Sequence, residues 1–362
     1  MSTIEFELEK HVKHFKMCLN ALPSPYSRGM VNHMSLVYFV VSGLDLLGRL
    51  DTVSIPKQDI INWIYTHQVQ PNVNAPDEMY INCGFRGANF LGQPFNCSDC
   101  NFTPLACDFS SLANTYTSLA LLRILGDDMS RVNRDAITRS IAAQQLPDGS
   151  FVGTPQAGES DMRHLFAACV SSFLMSDWRG VNKDAAVQYI HNSQTYEYGF
   201  AQVPGQEAHG GSTYCALASL ALMGRLDELR NRDRLIQWLA NKQLTGFCGR
   251  TNKDADTCYS FWVGGSLSIL GELHNVIDKT LLSGFVLSAQ HHVVGGIAKV
   301  PGNTPDLLHS YMSLSGLSLL GVGNLQPLNA ALGISQRAAG QQWNDILNVG
   351  TDGQCNVHGG GC

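Results

Sequence analysis

The sequence predicts an all-α fold, an α/α toroid: a six-hairpin α-α barrel built from helical-hairpin repeats of about 50 residues. Three observations carry this. Glutamines recur at Gln145, Gln194, Gln243 and Gln290, separated by 49, 49 and 47 residues. After each comes a glycine turn, a polar stretch, and then an apolar segment rich in small residues. The segments that lead up to the next glutamine carry charge on one face. Two helices per unit at such a period is the mark of a stacked helical array.

The elements follow in order. Met1–Lys16 is charged and periodic, with no apolar stretch of the secretory type. A weaker unit comes next, with Gln68, Cys83-Gly-Phe-Arg-Gly87 and Tyr116-Thr-Ser-Leu-Ala-Leu-Leu122. Four apolar helices then begin near Asp161, Ser212, Asp256 and Asp306. Their bodies are Ala167-Ala-Cys-Val170, Ala216-Leu-Ala-Ser-Leu-Ala-Leu222, Trp262-Val-Gly-Gly-Ser-Leu-Ser-Ile-Leu270 and Met312-Ser-Leu-Ser-Gly-Leu-Ser-Leu-Leu320. Being apolar nearly all round, they are expected to be buried as an inner ring. Asn133–Ala143, Lys183–Asn192 and Leu229–Asn241 read as outer, half-solvated helices. An open solenoid is the other arrangement such repeats allow; the glycine-rich loops and very apolar inner helices favour a closed ring. Residues 1–345 read as one domain. Residues 346–362, ending in Gly359-Gly-Gly-Cys362, read as a disordered tail.

Composition narrows the function. The 362 residues are 44% hydrophobic and only 15% charged, against about 25% charged in an ordinary domain. Much surface is therefore expected to lie against a cavity or a partner. A net charge of −6 argues against a nucleic-acid partner. The strongest apolar run, Met34–Leu47, is broken by Ser42, Gly43 and Asp45, so no membrane span is expected. Eleven cysteines, an odd number without a secretory signal, read as reduced thiols in the cytoplasm.

The densest chemistry lies in Arg250-Thr-Asn-Lys253-Asp-Ala-Asp256-Thr-Cys258-Tyr259 and in Asp306-Leu-Leu-His309-Ser-Tyr311. Cys258 follows His209 by 49 residues and precedes His309 by 51. One-repeat spacing sets such residues side by side at one mouth of a ring. A carboxylate, a thiolate and an imidazole with the fourth position open is the donor set of a catalytic zinc. The same residues also fit a core thiol, a helix N-cap and a satisfied buried histidine. The cations His209, Arg250, Lys253 and Lys299, grouped at helix starts, fit an anionic ligand, or else a solvated charged face. Tyr259 and Tyr311 either donate hydroxyls or pack.

These residues resemble the β subunits of protein prenyltransferases, most closely those of the type I geranylgeranyl enzyme. The resemblance runs from about His11 to Trp343. It rests on Ser42-Gly-Leu-Asp45, Cys83-Gly-Phe-Arg-Gly87, Ile124-Leu-Gly-Asp-Asp-Met-Ser-Arg-Val-Asn133, Asp148-Gly-Ser-Phe151, His209-Gly-Gly-Ser-Thr213, Asp256-Thr-Cys-Tyr-Ser-Phe-Trp262 and Val294-Gly-Gly-Ile-Ala-Lys299. It implies an α/α toroid that pairs with an α subunit as an obligate heterodimer. It implies transfer of a C20 group from geranylgeranyl diphosphate to the cysteine of a C-terminal C-a-a-X signal, on proteins such as small GTPases. By matching position, Asp256, Cys258 and His309 hold one zinc ion, and the peptide cysteine is its fourth ligand as thiolate. His209, Arg250, Lys253 and Tyr259 match diphosphate-binding positions. Lys299 stands where the farnesyl enzyme has a magnesium-recruiting aspartate, so magnesium is not expected to be required.

Ser35 matches the tryptophan that closes the farnesyl pocket against a fourth isoprene. Phe39, Tyr116, Arg163, Trp262, Leu308 and Met312 match lipid-contact positions. Ser111 and His164 fall where the animal enzyme contacts the X residue with histidine and phenylalanine, so leucine preference does not carry over directly. Cys97, Cys100 and Cys107 lie outside the family pattern; Cys97-Ser-Asp-Cys100 fits a second metal, but with no second C-x-x-C in the chain free loop thiols are the favoured reading. The alternatives are a farnesyl- or Rab-type β subunit, a terpene cyclase, or a non-catalytic helical scaffold. A cyclase of this shape needs a D-x-D-D motif, which is absent.

Overall fold

The computed structural model describes residues 4–89 and 108–340. Cys97, Cys100, Cys107 and the 346–362 tail lie outside the described residues. Six helices form an inner ring: α2 (His33–Leu46), α4 (Leu112–Leu125), α6 (Met162–Met175), α8 (Gly210–Met223), α10 (Tyr259–Ile269) and α13 (Leu307–Leu319). Each packs on the next, and α13 packs back on α2, so the ring closes. Outside it lie α1 (Leu8–Asn20), α3 (Lys57–Tyr65), α5 (Arg134–Gln144), α7 (Lys183–Asn192), α9 (Arg232–Ala240) and α12 (Lys279–Ser288), each packed on the inner helix that follows it. This is the six-hairpin toroid, not an open solenoid. Two short helices, α11 (Leu273–Val276) and α14 (Gln336–Ala339), complete the set.

The inner helices are buried over most of their surface. Leu220, Val263 and Leu314 are 0% exposed, and burying such a side chain contributes about 1.5–3 kcal/mol. Four of their serines bond back within the helix: Ser171, Ser219, Ser266 and Ser315 donate to the carbonyls of Ala167, Cys215, Trp262 and Tyr311. Small residues allow close approach. A methyl group on Gly43 of α2 would meet the Phe15 ring of α1 at 2.6 Å.

The repeat glutamines have a physical role. Each reaches the backbone or cap at the start of an outer helix one unit on. Gln145 Oε1 accepts the Asn182 N–H at 2.8 Å, and Gln243 Oε1 accepts that of Asp278 at 2.8 Å. Gln68 holds Asn133 in the same way, and Gln194 bonds Arg230 O and Asn231 Nδ2. The last, Gln290, accepts from Glu7 N at 3.0 Å and donates to Glu5 O at 3.0 Å, which seals the ring on its own N-terminus. Each glutamine also pairs antiparallel with a buried residue past the glycine turn: Phe85, Phe151, Phe200, Phe247 or Ile297.

Among the described residues, strand is confined to three two-stranded antiparallel pieces: β1 (Gln68–Val69) with β2 (Gly84–Phe85), β3 (Val152–Thr154) with β4 (Ala157–Ser160), and β5 (Leu328–Asn329) with β6 (Ile334–Ser335). Three helix starts differ from expectation: α10 begins at Tyr259 rather than near Asp256, after the turn in which Asp256 Oδ1 accepts the Cys258 N–H. The α8 helix begins at Gly210 rather than near Ser212, because His209 Nδ1 accepts from the Gly211 and Ser212 N–H groups and acts as the cap. The α9 helix begins at Arg232 rather than Leu229, because Asn231 is left-handed at φ 54°. Among the described residues no helix is long and apolar enough to cross a membrane. Cys18, Cys83, Cys169, Cys215, Cys248 and Cys258 are unpaired and buried.

Candidate active site and metal centre

The connections that enter α10 and α13 meet at one mouth of the ring. Thr257 N donates to Lys299 O at 3.0 Å and Thr257 Oγ1 to Ala298 O at 2.7 Å, which joins the loop before α10 to the loop before α13. On this seam the ligand-type atoms of Asp256, Cys258 and His309 all lie within 4.8 Å of one another. Asp256 Oδ1 accepts the Cys258 N–H at 2.9 Å, so the capping role and the clustering coexist. His309 Nε2 lies 3.3 Å from Asp256 Oδ1, and its Nδ1 lies 2.6 Å from Asp306 Oδ2. Among the described residues this is the one group of three or more His, Cys, Asp or Glu side chains close enough to hold a metal.

Burial and mutual contact shift the ionisation of all three side chains. Burial, with Asp256 alongside, pushes the Cys258 thiol far above its ordinary pKa. Burial alone would raise Asp256, but hydrogen bonds with His309 and Cys258 outweigh it and hold the carboxyl below its ordinary value. Burial opposes a charged His309, yet its bonds to Asp256 and Asp306 raise it to about 9.

Basic side chains rim the cluster. Lys299 Nζ is 3.7 Å from Asp256 Oδ2, with its side chain exposed. His209 Nε2 is 3.0 Å from the Tyr259 hydroxyl. Because His209 Nδ1 accepts backbone N–H groups, Nε2 carries the proton and the Tyr259 oxygen accepts it. The Tyr259 O–H proton is thereby left to give. Burial and then Arg250 hold His209 below its ordinary pKa. Arg250 pairs with Glu207 at 3.4 Å, and Lys253 stands exposed on the same loop. The residues proposed for the metal and the diphosphate thus fall on the entry loops, caps and first turns of α8, α10 and α13.

Residues 6–334 match the prenyltransferase alpha-alpha toroid domain. The chain belongs to the prenyltransferase α/α toroid family. It is 51% identical over 345 residues to a geranylgeranyl transferase type-1 subunit beta of Dictyostelium discoideum, covering 94% of this chain and 98% of that relative. It is 37% identical to the Arabidopsis thaliana protein of the same name, over 92% of this chain and 90% of that one. The structure of Candida albicans protein geranylgeranyltransferase-I complexed with GGPP superposes with a TM-score of 0.81 at 26% identity, over 95% of this chain and 99% of that one. Within the family this prenyltransferase chain groups with the type-1 geranylgeranyl β subunits.

The interior of the toroid is aromatic, one ring per repeat. Tyr116, Phe166, Tyr214, Trp262 and Tyr311 follow at intervals of 50, 48, 48 and 49 residues. Ring centroids lie 5.6 Å apart for Tyr38–Tyr116, 5.7 Å for Tyr116–Phe166, 5.5 Å for Phe166–Tyr214 and 5.2 Å for Tyr214–Trp262. Phe39 stacks on Tyr311, Met312 is buried and Leu308 is exposed. Ser35 faces Asn114 Oδ1 at 3.5 Å. Ser111 caps α4 by accepting from Asn114 N at 3.1 Å. Arg163 is held by Asp161, and His164 packs beneath Gly153.

One feature went unseen in the sequence. The β5–β6 hairpin is gripped by hydroxyls from three inner helices. Tyr38 donates to Gly333 O at 2.8 Å, Tyr311 bonds the same carbonyl, and Tyr214 donates to Ala330 O at 2.9 Å. Asp45 anchors the hairpin's end through Ser335 and Arg337. The residues joined here are up to 295 positions apart, and no local pattern signals such a contact.

Proposed function

We propose that this chain is the catalytic β subunit of a type I geranylgeranyltransferase. With an α subunit it transfers the C20 group of geranylgeranyl diphosphate to the cysteine of C-terminal C-a-a-X proteins such as small GTPases, in the cytoplasm. The observation that carries this is the Asp256–Cys258–His309 cluster, within 4.8 Å, in a chain 51% identical to a type-1 β subunit.

The donor set fits zinc. One carboxylate, one thiolate and one imidazole leave a fourth position for substrate, and Asp306 fixes His309 Nδ1, which leaves Nε2 as the ligand atom. When bound, zinc lowers the pKa of a thiol in that fourth position. The chain's own residues do the rest. Tyr259, its oxygen accepting from His209, is free to donate its O–H hydrogen bond to a diphosphate oxygen. Arg250, Lys253 and Lys299 set positive charge beside the leaving group as the bond from carbon 1 to oxygen breaks and the bond from sulfur to carbon 1 forms. Lys299 takes the place of magnesium. Ser35 leaves room for the fourth isoprene, with Phe39, Tyr116, Arg163, Trp262, Leu308 and Met312 along the lipid. Ser111 and His164 meet the peptide's X residue.

The test is co-expression with a candidate α subunit, then transfer of labelled C20 or C15 groups to C-a-a-X peptides carrying each X. The reading expects C20 transfer in preference. Exclusive C15 transfer, or none from a well-folded heterodimer, would overturn it.

A further inference from the structure

The toroid buries the residue just before each repeat glutamine. His67, Gln144, Ser193 and Ala289 occupy this place at 0%, 1%, 1% and 2% exposure. None brings a charge inside at neutral pH: burial, the largest influence on His67, holds its pKa at about 4. In the remaining unit the place is taken by Lys242, 4% exposed. No other described lysine is buried. An ammonium in such a position is costly unless it is partnered.

Its partners point in one direction. Lys242 Nζ lies 4.4 Å over the Trp238 ring and donates to Thr251 Oγ1 at 2.8 Å. Thr251 Oγ1 donates in turn to Glu197 Oε1 at 3.2 Å, and Trp238 Nε1 donates to Glu197 Oε2 at 3.4 Å. Thr251 sits between Arg250 and Lys253. Residues 251–254 are exposed, so this loop has little packing of its own. It turns through Asn252, left-handed at φ 59°, with Lys253 N donating to Arg250 O at 3.4 Å.

We propose that Lys242 is a positioning residue for the prenyl diphosphate: through Thr251 it fixes the Arg250–Lys253 loop, so that both cations are presented preformed to the leaving group. Lys242 does not itself touch the ligand. The proposal rests on the reading of Arg250 and Lys253 as diphosphate ligands. It accounts for a charged side chain at a place the other units fill with uncharged ones, in the unit whose loop carries the cations. Preformed geometry is what gives such contacts their value, since small displacements of a binding group are costly.

The full chain, purified with its α subunit, is compared with Lys242→Met, Lys242→Arg, Thr251→Val and Arg250→Gln, using geranylgeranyl diphosphate and inorganic diphosphate as ligands. Lys242→Met and Thr251→Val are each expected to weaken both ligands about tenfold and to raise the KM for geranylgeranyl diphosphate alike. The KM for the acceptor peptide and the zinc content stay unchanged, which a general loss of structure would not allow. Lys242→Arg keeps the cation, the ring contact and the donor, and restores the affinity. Thr251→Val, on an exposed loop, decides the matter if Lys242→Met fails to fold. Unchanged diphosphate affinity in Thr251→Val beside a weakened Arg250→Gln overturns the role of Lys242, as does a loss that arginine does not restore. Unchanged affinity in Arg250→Gln overturns instead the reading of the loop as the diphosphate site.

Discussion

Asp306 Oδ2 lies 2.6 Å from His309 Nδ1, while Oδ1 of the same carboxylate accepts the His309 backbone N–H at 2.9 Å. One aspartate therefore caps α13 and also fixes the tautomer and tilt of the imidazole. Partners of this kind are worth about 10- to 100-fold in metal affinity. Asp306→Ala is expected to weaken zinc binding by that factor in a competition titration with a chelator. Asp306→Asn, which still caps the helix, should recover stability but not the full metal affinity. Equal zinc affinity in all three proteins would remove Asp306 from the site.

Ser35 sits on α2 beside Asn114 and Phe39. On the proposed function, Ser35→Trp would fill the space for the fourth isoprene, and overpacking costs about 1–3 kcal/mol. The preference for C20 over C15 diphosphate is expected to fall by about tenfold to a hundredfold in a lipid competition assay. An unchanged ratio would show that Ser35 does not line the lipid.

Lys299 lies 3.7 Å from Asp256, and the proposed function has its ammonium stand in for magnesium. Activity should be near full without added magnesium. Lys299→Asp turns attraction into repulsion and should slow transfer strongly, with partial recovery in millimolar magnesium, because the new carboxylate recruits the ion. If Lys299 is only a solvated loop residue, the substitution and the added ion will both leave the rate unchanged.

Acid should destabilise the fold through its buried histidines. His67 is 0% exposed. Burial lowers its pKa to about 4; Arg86 and His33 also disfavour its charge, while bonds to Trp63 O and Asn89 oppose the shift. The unfolded chain, near pKa 6.5, takes up the proton first. The stability is therefore full above about pH 6.5 and is lost as pH falls toward 4, by up to about 3 kcal/mol. Denaturant unfolding at pH 7 and 4.5 should show a smaller loss for His67→Gln. Identical losses would contradict the assignment.

The toroid was legible because its repeats write the same chemistry each time. A glutamine side chain bridges backbone groups of fixed spacing, so Gln145, Gln194 and Gln243 reappear at one period. Asp256, Cys258 and His309 were legible as one-repeat neighbours. The rest depended on contacts that repeat spacing does not encode. His209 caps α8 with an imidazole nitrogen, an uncommon cap, so the helix starts earlier than Ser212. Lys242 looks like an ordinary helix-end lysine until Thr251 is found against it. The Tyr38–Gly333 grip joins opposite ends of the chain.

The central claim is that Asp256, Cys258 and His309 form a zinc site on which prenyl transfer depends. The most direct measurement is metal content together with geranylgeranyl transfer to a C-a-a-X peptide, for the purified heterodimer and its Cys258→Ala variant, before and after chelation. The account predicts one zinc per β chain in the parent protein. It predicts loss of both zinc and transfer on chelation, with transfer restored by added zinc, and neither in Cys258→Ala despite an intact fold. Full transfer by metal-free Cys258→Ala would contradict it.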